Sequence, residues 1–312
     1  MTVEELQAAG VRAVALVLVD NGGITRMKCV PIERLAHAAE RGIGWSSVWG
    51  LALGDDSFAH PPALYSPTGE LRLRADLGAA AELACSPGWA WAPIDHYEQT
   101  GAPWAGCQRG FLRRTVERAR TQGLELMAAW ELEWTVGDEG ENGFEPLHEG
   151  PGYGALTFGR TGNLMLELVD VLTGSGLALE QIHPEYSNGQ MELSLPPRDA
   201  LGACDESVLA RHVVHTVAGQ HGWRASFSPR VVAGSVGNGQ HIHFSVWIDG
   251  ENQFAGGGGQ EGLRPEGEAF LAGVLEHLPA LTAIGAPSGV SYYRLEPSRW
   301  AGVYACWGNE NR

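Results

Sequence analysis

The chain has 312 residues, 44% of them apolar, and a net charge of −16. That length exceeds one small domain and carries enough apolar residue for a sizeable core, so two domains or one elaborate one is expected. The acidic balance argues against nucleic acid, which needs a basic face, and suits a site that collects divalent cations.

Five scattered cysteines without a Cys-x-x-Cys pair point to reduced thiols rather than a disulfide framework or a zinc site. The acidic N-terminus lacks the layout of a signal peptide, and the longest apolar run, residues 13–19, is too short to cross a bilayer. The sequence therefore reads as a soluble cytoplasmic protein. Its 43 glycines are about twice the average share, which implies many turns.

In chain order, Thr2 with Glu5 makes a capping box, and Gly10 stops a short first helix. Residues 11–19 read as a buried strand, 20–23 as a hairpin turn and 24–30 as the partner strand. Pro31 opens an amphipathic helix over 32–41, and short strands follow, among them 71–74. Residues 89–93 close this mixed sheet, which places a boundary near His96 and gives domains 1–96 and 97–312. A basic helix over 109–122, ended by Gly123, then feeds a strand over 124–136. Beyond a glycine-rich loop at 150–154, residues 163–172 read as helix, 190–195 as strand, and 205–220 as amphipathic helix. His212 and His215, three apart on that helix with no acidic partner in sequence, read as partly exposed helix histidines. Residues 228–245 form a loop and a strand with His241 and His243 on one face, and 267–281 a further helix.

The strand over 124–136 organises the rest. Glu131 and Glu133 project from one side of it, about 7 Å apart, and are expected to be walled by Trp130 and Trp134. An edge strand with one face in water would show the same Glu-x-Glu pattern. In an apolar setting, however, two carboxylates on one face call for a cation between them. Glu185, Glu192 and His241 recur downstream at strand or turn positions. Oxygen-dominated ligation with one imidazole suits Mg2+ or Mn2+. Arg294 and Arg312 are fit to clamp carboxylate or phosphate. Metals with arginines and glycine-rich loops describe phosphoryl transfer from ATP, although no Walker-A loop is present.

The chain resembles the glutamine synthetase family over nearly its whole length. Ser228-Pro229 followed by Val236-Gly237-Asn238-Gly239-Gln240-His241-Ile242-His243-Phe244-Ser245 resembles that family's ATP-region signature, with Ser228, Arg230 and Val236 departing from it. Trp130-Glu131-Leu132-Glu133, the segment Glu185 to Glu192, and the blocks Ser291 to Leu295 and Trp307 to Arg312 resemble further family motifs in the same order.

The resemblance implies an α+β fold: a small N-terminal β-grasp domain, then a catalytic domain with a curved antiparallel sheet and helices, incomplete at its C-terminus. It implies ring-shaped homo-oligomers, dodecamer-like, with active sites between subunits. It also implies that Glu133, Glu185 and Glu192 hold one metal, and Glu131 with His241 the second. Gly237 and Arg294 would orient glutamate; Glu180, His243, Ser245 and Arg312 would lie near ATP. Glu133, Arg294 and Arg312 thus become the candidate catalytic residues. The implied chemistry is phosphorylation of the glutamate γ-carboxylate, followed by attack of a nitrogen nucleophile on the acyl phosphate.

Two departures bear on that nucleophile. Gly44, in Gly44-Trp45-Ser46-Ser47, occupies a family Asp position, and Trp300 that of the flap Glu. An ammonium pocket needs such carboxylates. Trp45 and Trp300, with Tyr153 on a remaining position of that pocket, suggest instead a larger site for an organic amine: a polyamine, alkylamine, ethanolamine or aromatic amine. An ammonia-using glutamine synthetase and a non-catalytic glutamate- or nucleotide-binding subunit are the alternatives. Trp45 and Trp300 serving only in core packing is the plainer reading of those two residues. The family continues past the position of Arg312 with a further metal Glu and phosphate-binding arginines, so a fragment of a longer protein is expected rather than a degenerate member.

Overall fold

The computed structural model describes residues 1–59, 64–140, 143–298 and 300–308. Among these the backbone forms two compact units. The first comprises Met1–Arg118 with Val171–Leu177 and Cys204–Leu209; the second comprises Ala119–Asp170, Ala178–Ala203 and Ala210–Arg312.

In the first unit, Thr2 and Glu5 close the expected reciprocal cap on α1 (Val3–Ala8). β1 (Ala13–Val19) and β2 (Thr25–Pro31) form the hairpin read from the sequence. The helix after Pro31 begins as a 3-10 turn, Ile32–Arg34, before α2 (Leu35–Glu40). β3 (Ile43–Ser46), β4 (Glu70–Ala75), β5 (Ala81–Glu82) and β6 (Trp89–Tyr97) complete a sheet ordered β2-β1-β6-β4-β3, with β5 on β6. β1 runs parallel to β6, and the other pairs are antiparallel. A hairpin, a crossing helix and a central parallel strand are the β-grasp arrangement. Leu6, Leu16, Leu35, Leu73 and Ile94 fill its core, and Trp45 packs there too. The boundary expected at His96 falls inside β6, where His96 is buried and pairs with Leu73. The strand cannot be divided there, and the unit runs on into α3 (Gln108–Thr121), whose Arg109 meets Asp76, Asp95 and Asp205 at 2.8–2.9 Å.

The second unit is built on β7 (Glu125–Gly140), sixteen residues long and the hub of an eight-stranded sheet. β8 (Gly143–Pro146), α4 (Ala155–Gly174), β9 (Gln181–Pro184) and β10 (Gln190–Ser194) follow. Next come β11 (Arg198–Asp199), α5 (Ala200–Gln220, capped by Asp199), β12 (Arg224–Ser226), β13 (Gln240–Ile248) and β14 (Glu251–Asn252). α6 (Pro265–Gly285) and α7 (Gly289–Arg294) complete it. α4 and α5 both begin before the apolar periodicity that announced them, at residues 155 and 200.

The sheet runs β14-β13-β7-β10-β9, every pairing antiparallel. Leu132, Trp134, Val136, Met191 and Leu193 alternate onto its buried face. Trp134 packs there against Phe227 at 5.9 Å. The two tryptophans expected to wall the carboxylates therefore lie on the opposite side of the strand, as a period of two requires.

Candidate active site

Strand register assembles the site. Glu192 of β10 stands directly opposite Glu133 of β7, and His183 of β9 opposite Glu192. On the other edge of β7, His241 of β13 stands opposite Glu131. Directly paired residues share a face, so Glu131, Glu133, Glu192, His183 and His241 all point the same way. Two carboxylates in direct register repel, and such a row destabilises the sheet unless positive charge accompanies it.

The side chains gather into two groups. Glu131, Glu133 and His241 each offer a ligand atom within 4.8 Å of the others, and so do His183, Glu185 and Glu192. This grouping differs from the one the resemblance implies, in which Glu133 goes with Glu185 and Glu192. The reason is local: Glu133 Oε2 accepts hydrogen bonds from the Gly239 amide and from Gln190 Nε2, both at 2.7 Å, which hold it toward β13. A Cβ at Gly239 would lie 2.6 Å from both Glu133 Oε1 and the His241 ring, so a larger residue there would push those two side chains out of this arrangement. Gln190, fully buried, also donates to the Gly237 carbonyl. Its role was not read from the sequence, although it sits inside the segment that carried the resemblance.

Glu131 is flanked by His241 Nδ1 at 2.5 Å and His243 Nε2 at 3.3 Å. The hydrogen bond from His241, aided by its charge, holds the Glu131 carboxyl below its ordinary value. Glu185 behaves oppositely. Burial raises it, and the charges of Glu133 and Glu131 add to that, while a 2.8 Å hydrogen bond from the Tyr153 hydroxyl opposes it. Its Oε2 is buried without a hydrogen-bond partner. An orphaned carboxylate oxygen among like charges is what a divalent cation would satisfy. The donor set of carboxylates and imidazole therefore fits the implied metals.

These residues surround a cavity of about 580 Å³, also lined by Tyr153, Tyr186, Gly237, Arg294 and Trp300. α7 carries Arg294 at its end, behind Gly237, where a Cβ would sit 2.0 Å from the Pro229 carbonyl oxygen and 2.9 Å from Arg294 Cγ. Arg294 Nε is buried and has no hydrogen-bond partner, and desolvation lowers the guanidinium. An unsatisfied cation at the wall suits a carboxylate ligand. Tyr153 stacks on His183 at 5.4 Å. Burial and the hydrogen bond to Glu185 push its hydroxyl up.

Of the other expected site residues, His243 and Ser245 follow His241 along β13, and Ser245 accepts from Trp247 Nε1. Glu180 is exposed just before β9, its amide bonded to Ser194. Gly44 and Trp45 belong to the first unit, on β3, where Trp45 is buried beside Trp49 at 6.0 Å. Arg312 lies outside the described residues.

The glutamine synthetase catalytic domain matches residues 105–312. The chain belongs to the glutamine synthetase family. Its sequence is 47% identical over 311 residues to the γ-glutamylpolyamine synthetase GlnA3 of Streptomyces coelicolor, covering 99% of this chain and 67% of that protein. It is 33% identical to the glutamine synthetase of Pyrococcus horikoshii, covering 99% of this chain and 66% of that enzyme. The crystal structure of a novel glutamine synthase homolog superposes with a TM-score of 0.85 at 33% identity, covering 93% of this chain and 68% of the other. The family expected from the motifs and its α+β fold are thus borne out. The chain spans about two thirds of the length of these relatives.

Proposed function

We propose that this glutamine synthetase family member joins an organic amine to the γ-carboxylate of glutamate, driven by ATP. The observation that carries the reading is the cavity wall: Trp300 lines it at the position where the family resemblance puts an acidic residue. An indole cannot deprotonate ammonium as a carboxylate can, whereas it accommodates the carbon chain of an organic amine and attracts a cationic nitrogen through its π face. The 47% identical relative named a γ-glutamylpolyamine synthetase supports a polyamine as the amine class.

Glu131, Glu133, Glu185, Glu192 and His241, with His183, would hold two Mg2+ or Mn2+ ions. Bound there, such ions would offset the charge of ATP and glutamate as the two anions approach. Arg294 binds a glutamate carboxylate over the bare backbone of Gly237. Glu180, His243, Ser245 and Arg312 serve the nucleotide side. A glutamate γ-oxygen takes the terminal phosphoryl group and ADP leaves. The amine lone pair then attacks the acyl carbon, phosphate departs with the bonding electrons, and the new amide nitrogen gives up its proton. Tyr153, tied to Glu185, shapes the amine end. Gly44 would reach a site across a homo-oligomeric ring, while Trp45 serves in the core of its own unit.

Five cysteines outside any disulfide fit a reducing cytoplasm. Among the described residues no helix is long and apolar enough to cross a membrane.

The test is ADP release from ATP with glutamate, Mn2+ and a panel of amines. Release should be highest with di- and polyamines; ammonium outperforming every organic amine would overturn the reading.

A further inference from the structure

Tyr186 follows Glu185 in the turn between β9 and β10 and contributes nothing to the ligand row. Its ring centroid lies 5.3 Å from that of Trp300, the planes tilted by 53°. Both residues line the same cavity as the carboxylates, and both stay largely exposed, at 45% and 58%. Tyr153, the other aromatic residue of the wall, is already engaged, since its ring stacks on His183 and its hydroxyl donates to Glu185. Trp300 is held at φ 56°, as is Tyr153. Bulky side chains rarely adopt that left-handed backbone, and such conformations concentrate where a site is shaped for a ligand.

The charges in the cavity are unequally available. Glu133 is committed to two hydrogen bonds and Glu131 to two imidazoles. With Glu185 and Glu192 they would surround the metal ions. Those carboxylates would then be spent on the metal ions and not left for a second ammonium on the amine that reaches past the reaction centre. The rings of Tyr186 and Trp300 offer the remaining attraction, two π faces beside an acidic cavity.

Resting on the ligase reading above, we infer that Tyr186 and Trp300 form an aromatic clip for the distal ammonium of a di- or polyamine. Tyr186 is thereby a specificity-determining residue that selects amines with two or more cationic nitrogens over monoamines of equal length.

The experiment is calorimetric titration of the full chain, with Mn2+ and glutamate present, by putrescine and by butylamine, which share a four-carbon chain. Wild type should bind putrescine about tenfold more tightly. Tyr186→Leu should shrink that ratio to about threefold or less and leave butylamine nearly unchanged, while Tyr186→Phe, which keeps the π face, should preserve the ratio. Trp300→Leu is the second variant should Tyr186→Leu lose its cooperative melt, read by the putrescine-to-butylamine ratio alone because Trp300 also packs on the carbon chain of either amine. A ratio untouched in both leucine variants would mean that carboxylates alone read the second charge. Equal losses for both amines would mean that the rings are only an apolar wall. Either result overturns the clip. A wild type that makes γ-glutamyl amides yet binds both amines equally refutes the clip and leaves the ligase standing; one that makes none and binds neither refutes both.

Discussion

Replacing Glu133 separates a metal-binding row from a merely structural one. Its carboxylate accepts two hydrogen bonds at 2.7 Å, from Gly239 N and Gln190 Nε2, and is nearly inaccessible. Glu133→Ala leaves two buried donors without an acceptor, each costing about 1–3 kcal/mol. Glu133→Gln keeps the shape and an acceptor oxygen but removes one of four negative charges facing the cavity. Without metal, the Gln variant should melt no lower than wild type and the Ala variant clearly lower. With Mn2+ at about a hundred times its dissociation constant, binding adds about 2.7 kcal/mol to the wild type. For 312 residues the unfolding entropy is about 0.65 kcal/mol/K, so the melting temperature should rise by about 4 °C. Glu133→Gln should show less than half that rise. Differential scanning calorimetry with EDTA and then Mn2+ reads both quantities. No Mn2+ shift in wild type, or an equal shift in Glu133→Gln, would refute the claim that register-paired carboxylates form a cation site.

Three further outcomes follow from the geometry. Gly237→Ala puts a Cβ 2.0 Å from the Pro229 carbonyl oxygen. Because backbone and Arg294 would have to move, glutamate affinity by calorimetry should fall at least about tenfold, with about 1–3 kcal/mol lost in stability. Arg109→Leu removes a cation shared by Asp76, Asp95 and Asp205; Arg113 still pairs with the first two, so the largely buried Asp205 is the carboxylate left uncompensated. About 3–5 kcal/mol should be lost in urea unfolding. His96 is buried, and desolvation lowers its pKa from 6.5 to about 4. It stays neutral in the fold, so its contribution is complete above pH about 6.5 and is lost as pH falls toward 4, where the unfolded chain takes up the proton first. At about 1.4 kcal/mol per pH unit this amounts to roughly 3 kcal/mol. Urea midpoints measured between pH 7 and pH 4 should fall less steeply in His96→Asn than in wild type.

Much of this was legible along the chain because its signals are local. A period of two placed Glu131 and Glu133 on one face of β7, as their shared contact with His241 bears out. The Thr2–Glu5 box and the turn before β2 set the start of the first unit through short-range hydrogen bonds. Ordered motifs identified the family. The pairing of distant segments was not legible. Register put Glu192 opposite Glu133 and His183 opposite Glu192, and it drew His183 into the ligand row. That choice depends on which strands meet and on hydrogen bonds such as Gly239 to Glu133, which span 106 positions of sequence.

Aromatic residues show the same division. Trp45 and Trp300 look alike in sequence, but one is buried in the core of the first unit and the other lines the cavity beside Tyr186. An indole suits either place, and only the packing of distant segments decides between them. The sequence by itself determined the chemistry available to this protein: carboxylates, imidazoles and arginines in the order of one family. Tertiary structure decided which of those groups face one another, because electrostatic repulsion, desolvation and π attraction act over a few ångströms in space and are indifferent to distance along the chain.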